Sequence, residues 1–261
     1  MQRTLAFSFY LTENWREVFA NKVHMAYLRH YAGIFNKAAF FIVHDEGLTM
    51  GTITDFENEI IDIGFMNVSF KLCKNTLFRE AKPFYDEIVR KMDNFEGILV
   101  WGHNKGGSFY DHGHLFEWLS VLYFGTMGLI KECEEKMISN YYGGEKYFYG
   151  NPKVEESPDG NVGWIYGGSF FAMNPPSIVK RMKTEGLSFP VLSNRSYVEE
   201  FPSSVFGSER MGSCYESYIF SKFSDFYSYT DSDWEILEKI VFKHVIEKFV
   251  ETKNNIWNAL T

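Results

Sequence analysis

The first hundred residues alternate between two periodicities, and that alternation restricts the fold more than any other feature of the chain. Short apolar runs at residues 5–9, 38–43, 65–72 and 98–101 read as buried strands. Between them lie stretches with helical spacing. Trp15, Phe19, Val23, Ala26 and Tyr27 share one face, with Thr12 as the expected N-cap. Ile53, Phe56, Ile60 and Ile63 share a second, and Tyr85, Ile88, Val89 and Met92 a third, entered through Pro83. Strands and helices in this order imply an α/β fold with a mostly parallel central sheet flanked by helices.

The later part is less regular. Helices are expected over 115–124 and 129–138, with a short strand at 146–150. A Pro-, Gly- and acid-rich loop at 151–163 is the candidate lid, and a strand follows at 164–173. Asn174-Pro175-Pro176 opens a helix, with Asn174 as N-cap. Residues 188–213 read as loop-rich. Ser232 and Glu235 have the spacing of a capping box for a C-terminal helix bearing Leu237, Val241 and Val245. The whole is expected to be one domain, 1–261, with a ligand-binding half at 1–110 and a second half at 111–261.

Charge and cysteine usage narrow the class. A net charge of −8 sets no global field for nucleic acid or an anionic membrane, although a local basic groove is compatible with it. Cys73, Cys133 and Cys214 are far apart, which argues against a disulfide scaffold or a zinc ribbon. No apolar run approaches the roughly 18 residues of a membrane span, so a soluble, cytoplasmic protein is expected.

Candidate chemistry gathers where the fourth strand ends. His103, Asn104, Lys105, Gly106 and Gly107 combine a point charge with glycines that let backbone amides approach a phosphate. The run is neither a Walker loop nor a G-x-G-x-x-G fingerprint. Asp111 and His114, with His112 and His103, have ligands suited to a divalent metal such as manganese, or equally the make-up of a polar wall. Asp45, after the second strand in His44-Asp45-Glu46, is placed to accept a ribose hydroxyl. Gly167 and Gly168, just before Ser169, interrupt a strand and mark a bulge or close approach by a ligand. Glu199, Glu200, Arg210 and Glu216 lie in the loop-rich part, where a carboxylate can serve as base toward an acceptor hydroxyl.

These pieces together resemble a group of bacterial and viral glycosyltransferases with a GT-A-like fold. The matching residues are His103, Lys105 and Gly106, then Trp118, then 168–171 with Gly168, Phe170 and Phe171, and Arg210 with Glu216. The resemblance implies transfer of a hexosyl or pentosyl unit from a nucleotide-sugar donor, UDP-linked, with manganese or magnesium as an optional metal. The first strand's tip with Ser8 and Tyr10, together with Asp45, would face the nucleoside. His103, Asn104 and Lys105 would face the diphosphate, and Gly168 and Ser169 would border the acceptor. Lys105, Asp111 and Glu216 would be the catalytic residues, and Asp111 with His114 the metal ligands. The usual Asp-x-Asp motif is absent, since the fourth strand runs into Trp-Gly-His-Asn-Lys. The acceptor is either a bacterial surface glycan or a hydroxylated base in phage DNA. The rival readings are a metal-dependent hydrolase built on His103, Asp111, His112 and His114, and a non-catalytic carbohydrate-binding module.

Overall fold

A computed structural model describes residues 1–104, 114–138, 146–156, 162–206, 211–213 and 230–261. Its strands are β1 (Arg3–Leu11), β2 (Lys37–His44), β3 (Val68–Lys74), β4 (Ile98–His103), β5 (Phe148–Glu156), β6 (Val162–Met173) and β7 (Met211–Ser213). They form one sheet in the order β3-β2-β1-β4-β6-β5-β7. β1 pairs in parallel with β2 and β4, β2 with β3, and β5 with β7. β6 is antiparallel to both β4 and β5, so it alone runs against the rest. The α/β, mostly parallel architecture is as expected.

Side-chain alternation assigns the two faces. Leu5, Phe7 and Phe9 of β1, Phe40 and Ile42 of β2, and Ile98 and Val100 of β4 enter one apolar core. α1 (Phe19–Tyr31), α2 (Met50–Ile63), α4 (Leu115–Tyr123) and α9 (Ile246–Leu260) contribute to the same core. Ala6, Phe41, Leu99 and Trp101 enter the other, with Phe84, Ile178 of α6 (Pro175–Glu185) and Phe201 of α7 (Tyr197–Phe206). A period of two along each strand gives both cores at once. Gly102 is required on the first face, because a Cβ there would lie 3.0 Å from the rings of both Phe7 and Phe170.

The helix expected from Ile53 to Ile63 and the Asn174 cap are both present. Thr49 caps α2 through Thr52 N, and Gly64 closes it at φ 93. Asn174 Oδ1 accepts from Ser177 N at 3.2 Å to start α6.

Other expectations are corrected. Thr12 caps no helix: residues 12–17 form turns, and α1 starts after Val18. Trp15 keeps helical spacing but is buried from a turn, edge-on to Phe9 and Phe56. Phe65 precedes β3 and packs on Phe40. The helix at Pro83 is irregular: one α turn, α3 (Ala81–Pro83), passes into a π turn at Phe84–Ile88 and a 3-10 segment at Val89–Asn94. Of the span 151–163 expected as a loop, 151–156 belong to β5 and Val162 and Gly163 to β6, and 157–161 lie outside the described residues. Within 188–213 lie α7 and β7. The final capping box is Thr230 with Asp233, two residues before the Ser232 and Glu235 pair. It starts α8 (Asp231–Val241), and the chain then turns into α9.

β5 and β6 form a ribbon longer than its neighbours. β6 pairs with β4 only at Met173, Ala172 and Phe171. Five further β5–β6 pairs, from Pro152↔Tyr166 to Glu156↔Val162, run on past them. At about 3.3 Å per residue they extend about 16 Å.

Candidate functional site

In the order β3-β2-β1-β4, the chain proceeds outward from β1 to β3 and then returns to β1's other side. This reversal is a topological switch point, where open α/β sheets form a crevice beyond the carboxyl ends of their strands. The residues at those ends are Tyr10, Asp45, Asn75 and His103 with Asn104.

They form one hydrogen-bonded rim. Tyr10 Oη donates to Asp45, whose other oxygen accepts from Asn75 Nδ2 at 2.8 Å. Asn75 is held in turn by its N–H on His44 O at 2.8 Å. The Asp45 bond, aided by partial burial, pushes the Tyr10 phenol up to about 12, against the opposing charge of Arg79. The same bond, with that from Asn75, holds the Asp45 carboxyl below the usual carboxylate range. Glu13, just past β1, accepts from Thr49 N and from the Thr52 hydroxyl, joining this tip to the start of α2.

Arg79 sits beside this cluster in a left-handed conformation, φ 46, with its N–H on Thr76 O at 3.0 Å. For a residue with a Cβ that conformation costs about 1–2 kcal/mol. Its exposed guanidinium makes no ion pair among the described residues.

Toward β4, Asn104 is 5% exposed and fully engaged. Its Oδ1 accepts Tyr10 N–H at 2.7 Å, and its Nδ2 donates to Tyr10 O at 3.0 Å and to Asn21 Oδ1 at 3.1 Å. Both side-chain donors are therefore taken, and Asn104 acts as a clamp on Tyr10. Ser8, inside β1, is buried, and its carbonyl accepts from Asn104 N. His103 is buried with its ring 6.3 Å from Phe170.

Beyond β4, Gly167, Gly168, Ser169 and Phe170 lie between two β6 pairs that Asn151 alone separates on β5. The expected interruption is thus a large bulge. Ser169 adopts φ 54 within it, and its hydroxyl donates to Glu199 Oε1 at 3.4 Å, from the first turn of α7. Glu200 instead accepts from Asn194. The fold thus singles out one of the two adjacent carboxylates.

His114 precedes α4, with Nδ1 4.0 Å from Glu117. Lys105, Gly106, Gly107, Asp111, His112, Arg210 and Glu216 lie outside the described residues. Among the described residues no three His, Cys, Asp or Glu side chains gather as a metal site, and no helix is long and apolar enough to cross a membrane. Sequence reasoning missed Asn21, Asn75 and Arg79. An asparagine on the apolar face of α1 was the one available signal.

No family model matches the chain, and no curated protein matches it. Among solved structures, 4-diphosphocytidyl-2C-methyl-D-erythritol synthase from Anaerococcus prevotii DSM 20548 is similar at 11% identity, covering 90% of this chain and 96% of its own, with a TM-score of 0.40. A protein reported as a nucleotide-diphospho-sugar transferase from Desulfovibrio desulfuricans G20 is similar at 10% identity over 95% and 99%, with a TM-score of 0.30. Likenesses this loose say nothing about substrate or chemistry.

Proposed function

We propose that the chain is a glycosyltransferase that moves a sugar from a nucleotide-sugar donor to an acceptor hydroxyl. The observation that carries this reading is the rim at the switch point, where Tyr10, Asp45 and Asn75 cluster beside the strained Arg79. Tyr10 offers a ring to the nucleoside. The Asp45 carboxylate has lone pairs beyond the two it uses, enough for a base N–H or a ribose hydroxyl. Arg79 adds a cation on the same side. The donor class that fits is a UDP-sugar.

Loss of the nucleoside diphosphate demands positive charge at the departing oxygens. Lys105 and His103 would meet that demand, and Asp111 with His114 would hold manganese or magnesium where a metal assists. The acceptor oxygen attacks the sugar's anomeric carbon, the bond to the diphosphate breaks, and a carboxylate takes the acceptor proton. Glu199, engaged by Ser169 in the β6 bulge, is suited to that role; Glu216 is the second candidate. The acceptor is a bacterial surface glycan or a hydroxylated base in phage DNA.

The test is a thermal-shift panel of nucleotides and nucleotide sugars, with and without manganese. Ligand at a hundredfold excess over its Kd stabilises by about 2.7 kcal/mol, an easily read shift. UDP and UDP-sugars should raise Tm, and silence across the whole panel would remove the proposal. Binding to duplex DNA that weakens steeply with salt selects the DNA acceptor, and no binding even at low salt selects the glycan.

A further inference from the structure

Regular pairing between β1 and β4 ends at Ser8↔His103. Two residues on, the Tyr10 N–H and C=O that face β4 are nevertheless both satisfied, by the Asn104 side chain. In a continued parallel ladder they would pair with the main chain of an extended β4. One amide side chain therefore imitates an extra rung.

A rung made from an amide has a direction, because its oxygen and nitrogen ends differ. The Tyr10 N–H and C=O select that direction, and α1 independently selects the same one. The Trp15 carbonyl is only an acceptor, so the Asn21 amide turns its nitrogen toward it, at 2.9 Å. Asn21 Oδ1 then faces Asn104 and requires the Asn104 nitrogen, at 3.1 Å. Asn104 Oδ1 is left to meet Tyr10 N–H. Asn21 is 1% exposed, so no solvent competes for these bonds. The bonds run from Trp15 through Asn21 and Asn104 to Tyr10, with main-chain groups at both ends demanding the same amide directions.

We propose that Asn21 is a positioning residue of the nucleotide site. Acting through Asn104, it locks in place the amide rung that ties Tyr10 to the end of β4, and with it the separation of β1 and β4 at the switch point. This rests on the nucleotide reading of the rim given above.

The experiment uses the full chain in three forms: unaltered, Asn21→Leu (similar volume, no hydrogen bonds) and Asn104→Asp (same shape, both donors removed). Each is followed by amide hydrogen exchange and by titration with UDP. Faster exchange at Tyr10 with unchanged exchange at Phe7, and UDP affinity lowered about fivefold in Asn21→Leu and further in Asn104→Asp, is the expected result, the scale of one net hydrogen bond or more. General loss of packing would instead speed exchange along the whole of β1, and that outcome overturns the positioning role. So does Tyr10 protection that survives in both variants, or UDP affinity that is unchanged while Tyr10 exchanges faster. Failure of the unaltered chain to bind UDP is a different result. It overturns the nucleotide reading itself, and is seen without any variant.

Discussion

The two rims of the sheet belong to the same four parallel strands and are closed by different means. At the amino-terminal rim, main chain meets main chain, with two asparagines assisting: Asn36 Oδ1 accepts from Arg3 N at 2.8 Å and Asn67 Nδ2 donates to Asn36 O at 2.9 Å. Ile98 N donates to Gln2 O at 2.9 Å, Asn36 N to Arg3 O at 2.9 Å, and Ala38 N to Asn67 O at 2.7 Å. Gly97 fits so closely, at φ 77, that a Cβ would stand 2.2 Å from Gln2 O. Arg3 adds a two-point ion pair to Glu134 across both residues' sheltered side chains. At the carboxyl-terminal rim two main-chain bonds, Asn104 N to Ser8 O and Asn75 N to His44 O, are supplemented by the side chains of Asn104, Asp45 and Asn75, which carry the remaining links between strand ends. The first arrangement favours stability. The second leaves an aromatic ring, spare carboxylate lone pairs and a cation facing outward.

Substitutions at the two rims should therefore separate stability from ligand binding. The largest effect is expected from Gly97→Ala, about 3 kcal/mol in urea unfolding, since left-handed strain and a backbone clash coincide; a loss below about 1 kcal/mol would break the contrast. Arg3→Met should follow with about 2 kcal/mol, because it strands the Glu134 carboxylate, and UDP affinity should be untouched in the folded protein.

At the other rim the order of effects reverses. Asp45→Asn should weaken UDP binding about tenfold while changing stability by less than about 1 kcal/mol. It should also change the pH response. The raised Tyr10 pKa means its bond to Asp45 contributes fully below the ordinary tyrosine range and is lost as pH climbs toward about 12. The lowered Asp45 pKa means its contribution is present above the ordinary carboxylate range and is lost as acid protonates it. An NMR titration of the Tyr10 ring in Asp45→Asn should return it toward the ordinary value, and an unmoved titration would count against the pair. The smallest effect is a gain: Arg79→Gly should stabilise by about 0.5–1 kcal/mol through relief of φ strain, yet bind UDP less well. Loss of both would mark Arg79 as a structural residue.

The sequence carried the parallel half well, because burial on both faces makes continuous apolar runs of β1, β2 and β4. It carried β6 nearly whole, as the strand expected at 164–173, and β5 only in its first residues. Pro152 and the acids Glu155 and Glu156 read as loop, but the part of the ribbon that pairs only with itself needs no apolar run. Pro202, lying inside α7, hid that helix in the same way. In the site, Tyr10, Asp45 and His103 were legible as strand ends. Asn21 and Asn75 were not, because their meaning lies in partners 83 and 30 residues away. Trp15 misled by keeping helical spacing in a turn.

The β5–β6 ribbon has a consequence for how such a chain can diversify. Beyond Phe171 its paired residues adjoin no other strand among those described, so nothing else in the sheet records its length. Removing one residue from each strand would reverse the alternation of the ribbon's two faces, whereas removing two from each would keep that alternation in a shorter ribbon. Reach over the crevice is therefore adjustable in steps of one pleat, about 7 Å, independently of the strands that carry the rim.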